Sequence, residues 1–312
     1  MKESDQAAAS GKAAADQAAN GATPLPPGCR ILFIGGGNMA GAMISGLVAA
    51  SISPAQVAAL DPAPETRDRL RERHGIAVFA DPAQLDATLS FDAIVLAVKP
   101  QQAEAALAGC RGLFDGNPQA VLISVAAGLR IAAIVAASGG HARVVRAMPN
   151  TPALIGHGIA GFFAPASVDA SSSEIAAAVL GATGAVVRVA HENLLDTVTA
   201  VSGSGPAYAF YLMEAMIDAG IAGGLDAGTA RTLALHTVKG AALLALASEE
   251  PPTELRRRVT SPGGTTAAAI EVLDRQQVRA SLGQAIQAAA ARSRQLSEPV
   301  GPSNAPGSAP SS

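Results

Sequence analysis

The chain has 312 residues, a length that suits about two domains. Hydrophobic residues make up 49% and charged residues 15%, which excludes a chain disordered throughout. The 22 basic and 25 acidic side chains leave a net charge of −3, so a polybasic nucleic-acid partner or a membrane surface is not expected. Two cysteines, Cys29 and Cys110, cannot build a disulfide scaffold or a four-thiolate zinc site, and they suit a reducing cytoplasm. With aromatics at 3% and no Trp, a base-stacking platform is not expected either.

Residues 1–27 form an Ala/Gly/Gln tract closed by prolines and read as a disordered tail. The tract lacks the bulky apolar stretch of a secretory signal, and its Glu3, Asp5 and Asp16 without any Arg do not suit a transit peptide. From 28 to 190, short β-branched runs alternate with Ala-rich helical stretches. The predicted strands are Ile31–Gly35, Val57–Asp61, Ala93–Val98, Val121–Val125, Val144–Met148, Ile159–Phe163 and Val186–Val189. Met39–Ala50, Glu65–His74 and Gln101–Leu107 have helical period between the earlier ones. Such alternation implies an α/β domain with a mostly parallel sheet covered on both faces.

From 191 to 296 the β-runs stop, and helices are predicted at Pro206–Gly220, Ala227–Ser248, Thr253–Val259, Thr265–Asp274 and Val278–Leu296. Ala207–Ile217 carries only Glu214 as a charge, and Ala234–Ala247 only Lys239. Helices without a polar face must be covered all round. An all-helical domain of this size has little with which to cover two of them, so a homodimer interface is expected here. Thr232–Ala247, interrupted by His236 and Lys239, is too short and too polar for a bilayer span, and no membrane partner is expected. Residues 297–312, rich in Ser, Pro and Gly, read as a second tail.

The first strand runs into Gly35-Gly36-Gly37-Asn38-Met39-Ala40 and then into helix, a Gly-x-Gly-x-x-Ala turn in the strand–turn–helix context of a Rossmann-type dinucleotide site. Gly35 permits the tight turn, Gly37 lets a pyrophosphate approach the backbone, and Ala40 lets helix and strand pack closely. The helix N-terminus offers free N–H groups to the anion. Asp61 ends the second strand, where an acidic residue accepts ribose hydroxyls; it also reads as the N-cap of the next helix. Thr66 and Arg67 lie close enough in sequence to serve a 2′-phosphate, so NADPH and NADH both stay open.

Ala97-Val98-Lys99-Pro100 and Val125-Ala126-Ala127-Gly128 close further strands at the edge where such sheets bind ligands. Lys99 and Lys239 are the only lysines beyond the N-terminal tail, which singles out Lys99. On the substrate side, Met148–Pro152 ends a strand. Ser202–Tyr208 and Thr260–Thr266 each open a helix with Gly and hydroxyl residues, a setting for a small carboxylate or for ordinary capping. There is no His-Glu-x-x-His, no Cys/His pair at metal spacing and no Gly-x-Ser-x-Gly elbow. A metal is therefore not expected, and the chemistry falls to a cofactor.

Five stretches together resemble the pyrroline-5-carboxylate reductases: Phe33–Ala40, Ala97–Gln101, Val145–Pro152, Asp196–Tyr208 and Val259–Thr266. They follow the family's order and span roughly residues 30–296. The resemblance implies NAD(P)H-dependent reduction of the cyclic imine 1-pyrroline-5-carboxylate to L-proline, the last step of proline biosynthesis. It implies that Gly35–Ala40, Ala97–Pro100 and Val125–Ala127 hold the dinucleotide. It implies that Gly263, Gly264, Thr265 and Thr266 hold the substrate carboxylate and ring, with Thr266 near the imine nitrogen. Ser202 and Glu192 would border the substrate. It further implies a C-terminal domain interleaved with its twin, in dimers that can build a decamer. Arg258 departs from relatives with Asn there, so contacts of that side chain do not carry over. A β-hydroxyacid dehydrogenase would need Lys239 as its acid/base and leaves Ser-Gly-Ser-Gly-Pro-Ala-Tyr unexplained; a non-catalytic dinucleotide-binding protein leaves the substrate-side segments unexplained.

Overall fold

The structure, a computed structural model, describes residues 24–86 and 88–297. Most of the two expected tails lies outside that range. Their inner edges are ordered: Leu25 packs against the core, and Ser297 is the buried last residue of a helix.

Strands β1 (Ile31–Ile34), β2 (Val57–Leu60), β3 (Ala77–Phe79), β4 (Ala93–Leu96), β5 (Val121–Ser124), β6 (Val144–Met148), β7 (Gly158–Phe163) and β8 (Gly184–Arg188) form one sheet in the order β3-β2-β1-β4-β5-β6-β7-β8. Every neighbouring pair is parallel except the antiparallel β6–β7. Each expected apolar run overlaps a strand, with β7 and β8 beginning one and two residues earlier than expected. The one not foreseen, β3, has three residues and only its β2 side paired. A run that short carries too few residues to show a period.

Strand periodicity divides the core in two. Ile31 and Phe33 of β1, Ala93 and Val95 of β4, and Val121 and Ile123 of β5 face one side. Leu32, Ile34, Ile94, Leu96 and Leu122 face the other. All are buried, which is why these strands read as unbroken apolar runs. Helices α1 (Asn38–Ala49), α2 (Pro64–His74) and α6 (Ala170–Gly181) cover the first face through Met43, Ile44, Leu47, Leu70, Val179 and Leu180. Helices α3 (Pro100–Gly109), α4 (Arg111–Gly116) and α5 (Ile131–Ala137) cover the second through Ala103, Leu107, Phe114 and Ile134. Helix α7 (Leu194–Val198) passes into a π-helical segment at Thr199–Gly203.

Two compact units result: residues up to Gly203 together with those from Ala290 onward, and Ser204–Ala289. The second holds α8 (Gly205–Ala222), α9 (Ala227–Leu246), α10 (Pro252–Arg258), α11 (Thr265–Arg275) and the start of α12 (Val278–Ser297). Helices α8 and α9 pack on each other. Among the described residues of this unit only Ala230 and Ala234 are fully buried, and neither helix covers the other's apolar surface. Tyr211 is 74% exposed and Leu246 84%, with Phe210, Leu212, Leu233, Leu243 and Leu244 more than half exposed. Two buried alanines do not make a core, so this unit owes its stability to a cover from outside its own chain segment.

Candidate active site

The parallel strands β1, β2, β4, β5 and β6 end along one edge of the sheet, and the strand order reverses between β1 and β4. A crevice at such a switch point is where doubly wound sheets bind nucleotides. Gly35 sits there at φ +95°, and a Cβ on it would stand 2.7 Å from Val98 Cγ1 and 2.9 Å from the Ala97 carbonyl oxygen. The glycine turn is thus pressed against Ala97–Val98, part of a second segment expected at the site. A Cβ on Gly36 would collide with Thr66 and Leu70 of α2. A Cβ on Gly37 would meet nothing within 4 Å. Gly37 is the N-cap of α1 and has no capping side chain; it and Asn38 are exposed, while Ala40 is buried against the core. Open space therefore lies over an uncapped helix start, and the residues present fit the pyrophosphate of a dinucleotide.

Asp61 is brought to this turn. Its Oδ2 accepts the Gly36 N–H at 2.8 Å and its Oδ1 the Ala63 N–H at 2.9 Å. Its alternative reading as an N-cap is corrected: the N-cap of α2 is Ala63 with Pro64 at the first helical position, because Pro62 and Pro64 delay the helix by two residues. Arg67 Nη1 donates to the carbonyls of Asp61 and Pro62, both at 2.8 Å, and Arg69 Nη2 to that of Gly36 at 2.9 Å. Lys99 is exposed at the N-cap of α3, followed by Pro100. Val125 donates its N–H to Leu96 at 3.1 Å, so the Val125–Ala127 turn continues the same edge.

Glu192 and Ser202 also lie in the first unit. Glu192 Oε1 accepts the Ile131 N–H at the start of α5 at 2.9 Å and pairs with Arg146 Nη1 at 3.2 Å. Burial pulls the Arg146 pKa down, and the Glu192 carboxylate opposes that shift. The Ser202 hydroxyl donates to the Val198 carbonyl at 2.9 Å, and the Ser202 carbonyl accepts from Asn150 Nδ2 at 3.1 Å. Asn150 Oδ1 accepts from Ile159, so this one amide ties the end of β6 to β7 and to the π-helical segment. Fully buried Asp196 pairs with Arg130. Neither Arg146 nor Asp196 is among the site residues expected from the sequence. The signal for Arg146 was present: an arginine inside the run Val144–Met148 needs a carboxylate partner.

The Thr260–Thr266 turn lies in the second unit. Gly263 has φ +69°, Gly264 donates to Ser261 at 3.0 Å, and Gly264 is the N-cap of α11 without a capping side chain. The first N–H groups of α11, at Thr265 and Thr266, are those a helix leaves without an internal partner. Before this turn, Arg258 pairs with Glu250. No group of three or more His, Cys, Asp or Glu among the described residues could hold a metal.

A family model for pyrroline-5-carboxylate reductase dimerisation matches residues 192–296, and one for coenzyme F420-dependent NADP oxidoreductases matches 30–128. The pyrroline-5-carboxylate reductase of Pseudomonas aeruginosa is 45% identical over 273 residues, which are 87% of this chain and 98% of that one. The chain belongs to the pyrroline-5-carboxylate reductase family. The reductase of Corynebacterium melassecola is 40% identical over 85% of this chain and 98% of its own. The solved reductase of Coxiella burnetii superposes with a TM-score of 0.82 at 37% identity, over 87% of this chain and 99% of that chain. That of Plasmodium falciparum, solved with NADP bound, gives 0.74 at 27% identity over 86% and 98%. Reductase membership accounts for the bare α8–α9 pair, since the matched dimerisation region contains both helices.

Proposed function

We propose that this protein reduces 1-pyrroline-5-carboxylate to L-proline with NADPH or NADH, the last step of proline biosynthesis. The observation that carries the reading is 45% identity to a pyrroline-5-carboxylate reductase across 87% of this chain and 98% of that one. The open space over Gly37, beside a turn locked by Asp61, supports dinucleotide binding in the first unit. Gly35–Ala40, Ala97–Pro100 and Val125–Ala127 are the residues to hold it. When bound, the reduced nicotinamide supplies the hydride that adds to the imine carbon. The N–H groups of Thr265 and Thr266 at the start of α11 suit the substrate carboxylate, with Gly263 and Gly264 leaving room for the ring. Reduction leaves a secondary amine, so the ring nitrogen must carry a proton. The Thr266 hydroxyl holds that nitrogen by a hydrogen bond and orients it or relays a proton from water, since a threonine is a weak acid. Glu192 already accepts from Ile131 and Arg146, and its place beside the substrate is assigned on resemblance alone.

The working form is a dimer through the second unit, and dimers assemble further toward a decamer. Two buried free thiols suit the reducing cytoplasm; no described helix is long and apolar enough to cross a membrane.

Parallel loss of NADPH and NADH absorbance with purified protein and 1-pyrroline-5-carboxylate tests the activity. Imine-dependent oxidation supports it, and no oxidation with either cofactor by a folded dimer refutes it. Thr266→Ala should lower kcat/KM about 100-fold, the lower end of what a positioned proton-transfer group contributes; an unchanged value removes Thr266 from the chemistry.

A further inference from the structure

The turn Val125–Gly128 is held by groups that come from far along the chain. Asp196, fully buried, accepts Arg130 Nη2 at 2.9 Å on Oδ2 and the Ser293 hydroxyl at 2.8 Å on Oδ1. Ser297 Oγ also lies 3.5 Å from Oδ1, but its single proton goes to the Ser293 carbonyl at 2.9 Å. Arg130 follows the turn by two residues and is the N-cap of α5. The next residue, Ile131, gives its N–H to Glu192, one helical turn before Asp196. Two carboxylates spaced i, i+4 thus seize the two residues at the start of α5, one by side chain and one by backbone.

The end of α12 completes the enclosure. Gly128 has φ +75°, and a Cβ on it would stand 3.2 Å from the Leu296 carbonyl oxygen. The backbone of α12 therefore lies against the turn itself, three residues from the serine that holds Asp196. Buried carboxylates are expensive to leave unpaired, so the two hydrogen bonds at Asp196 act as one unit. Asp196 does not belong to the glycine turn, to Asp61 or to the Thr260–Thr266 segment.

We propose that Asp196 is a positioning residue for the dinucleotide site: by joining Arg130 to Ser293, it sets the position of the Val125–Gly128 turn and so the affinity for the cofactor. This rests on the reading above that the turn lines that site. The effect is on dinucleotide affinity, and turnover at saturating cofactor stays close to that of the parent protein.

The test uses Arg130→Ala, Ser293→Ala and Asp196→Asn in the full-length protein. NADPH affinity is read by fluorescence titration without the imine, kcat and the imine KM at saturating NADPH, and the fold by thermal melting. The first two variants keep the proposal testable if Asp196→Asn fails to fold. The expected result is a Kd for NADPH raised about tenfold, the loss of one charge-assisted hydrogen bond, with kcat within about twofold. Arg130→Lys should restore most of the affinity. Arg130→Ala and Ser293→Ala together should cost less than the product of the two single effects, because both act through Asp196. Melting temperatures that fall while the Kd of the folded protein stays within twofold would mean a purely structural role and overturn the proposal. Ala127→Leu separates the two readings: unchanged NADPH affinity in that variant removes the turn from the site, whereas blocked binding with Arg130→Ala and Ser293→Ala unaffected refutes the role of Asp196 alone.

Discussion

At the scale of single residues, Asp61 shows how a selective group can also be a structural one. Each carboxylate oxygen accepts one backbone N–H, from Gly36 and from Ala63. A residue that only chose between cofactors would, when removed, favour NADPH over NADH. Asp61→Ala should instead weaken both, each by about tenfold or more, because hydrogen bonds to a charged acceptor are worth about 1.5–3 kcal/mol. The two dissociation constants, measured side by side, decide this; an unchanged NADPH affinity with loss of NADH alone would make Asp61 a selector. The glycine turn itself was readable from the sequence, where Gly35, Gly37 and Ala40 follow a strand at the spacing of a dinucleotide site; the lack of room for a side chain at Gly36 was not. What was not readable is where the partners of Asp61 lie. A carboxylate before two prolines looks like a helix cap until the backbone shows the helix starting at Pro64.

At the scale of elements, α6 gives a pH-dependent test. Asp169 caps it through the Ser172 N–H at 2.7 Å and pairs with Arg143. The Ser172 backbone bond, then the Arg143 and Ser172 side chains, hold its carboxyl down at about 2 from the ordinary 3.8. A carboxyl depressed in the folded state adds stability above its unfolded pKa and loses it as pH falls through the folded value. The melting difference between the protein and Asp169→Ala should therefore be full above pH 3.8 and fade toward pH 2. A difference constant down to pH 2 would mean the cap acts without its charge. The elements were legible where they were long or doubly buried. Thr265–Arg275 begins at the predicted residue because Gly-Gly before it cannot extend the helix well. By contrast β3 was missed and α4, α5, α6 and α7 were not delineated: β3, α4, α5 and α7 are too short to carry a readable period, and α6, though twelve residues long, is a Ser- and Ala-rich run without a clear apolar stripe.

For the whole molecule, the second unit was legible as an excess of apolar helix surface, and the structure shows that surface uncovered. A unit whose described residues include only two buried alanines depends on its partner for stability. Melting temperature should rise with protein concentration. Tyr211→Asp combined with Leu244→Asp should give monomers that melt about 10 °C or more below the parent, since each buried apolar side chain is worth about 1.5–3 kcal/mol. Light scattering alongside melting checks both statements, and an unaltered dimer would place the interface elsewhere. The return of residues from Ala290 onward to the first unit was not legible, because nothing local in Ser293 announces a partner 97 positions earlier.

That return has a consequence for synthesis. The chain leaves the ribosome from its N-terminus, and the sheet with its helices is present once Gly203 has emerged. Asp196 and Arg130 have then been made but Ser293 has not, and the Leu296 backbone is not yet beside Gly128. The nucleotide-binding half is made first and finished last: its final contacts wait until the helical half has been translated.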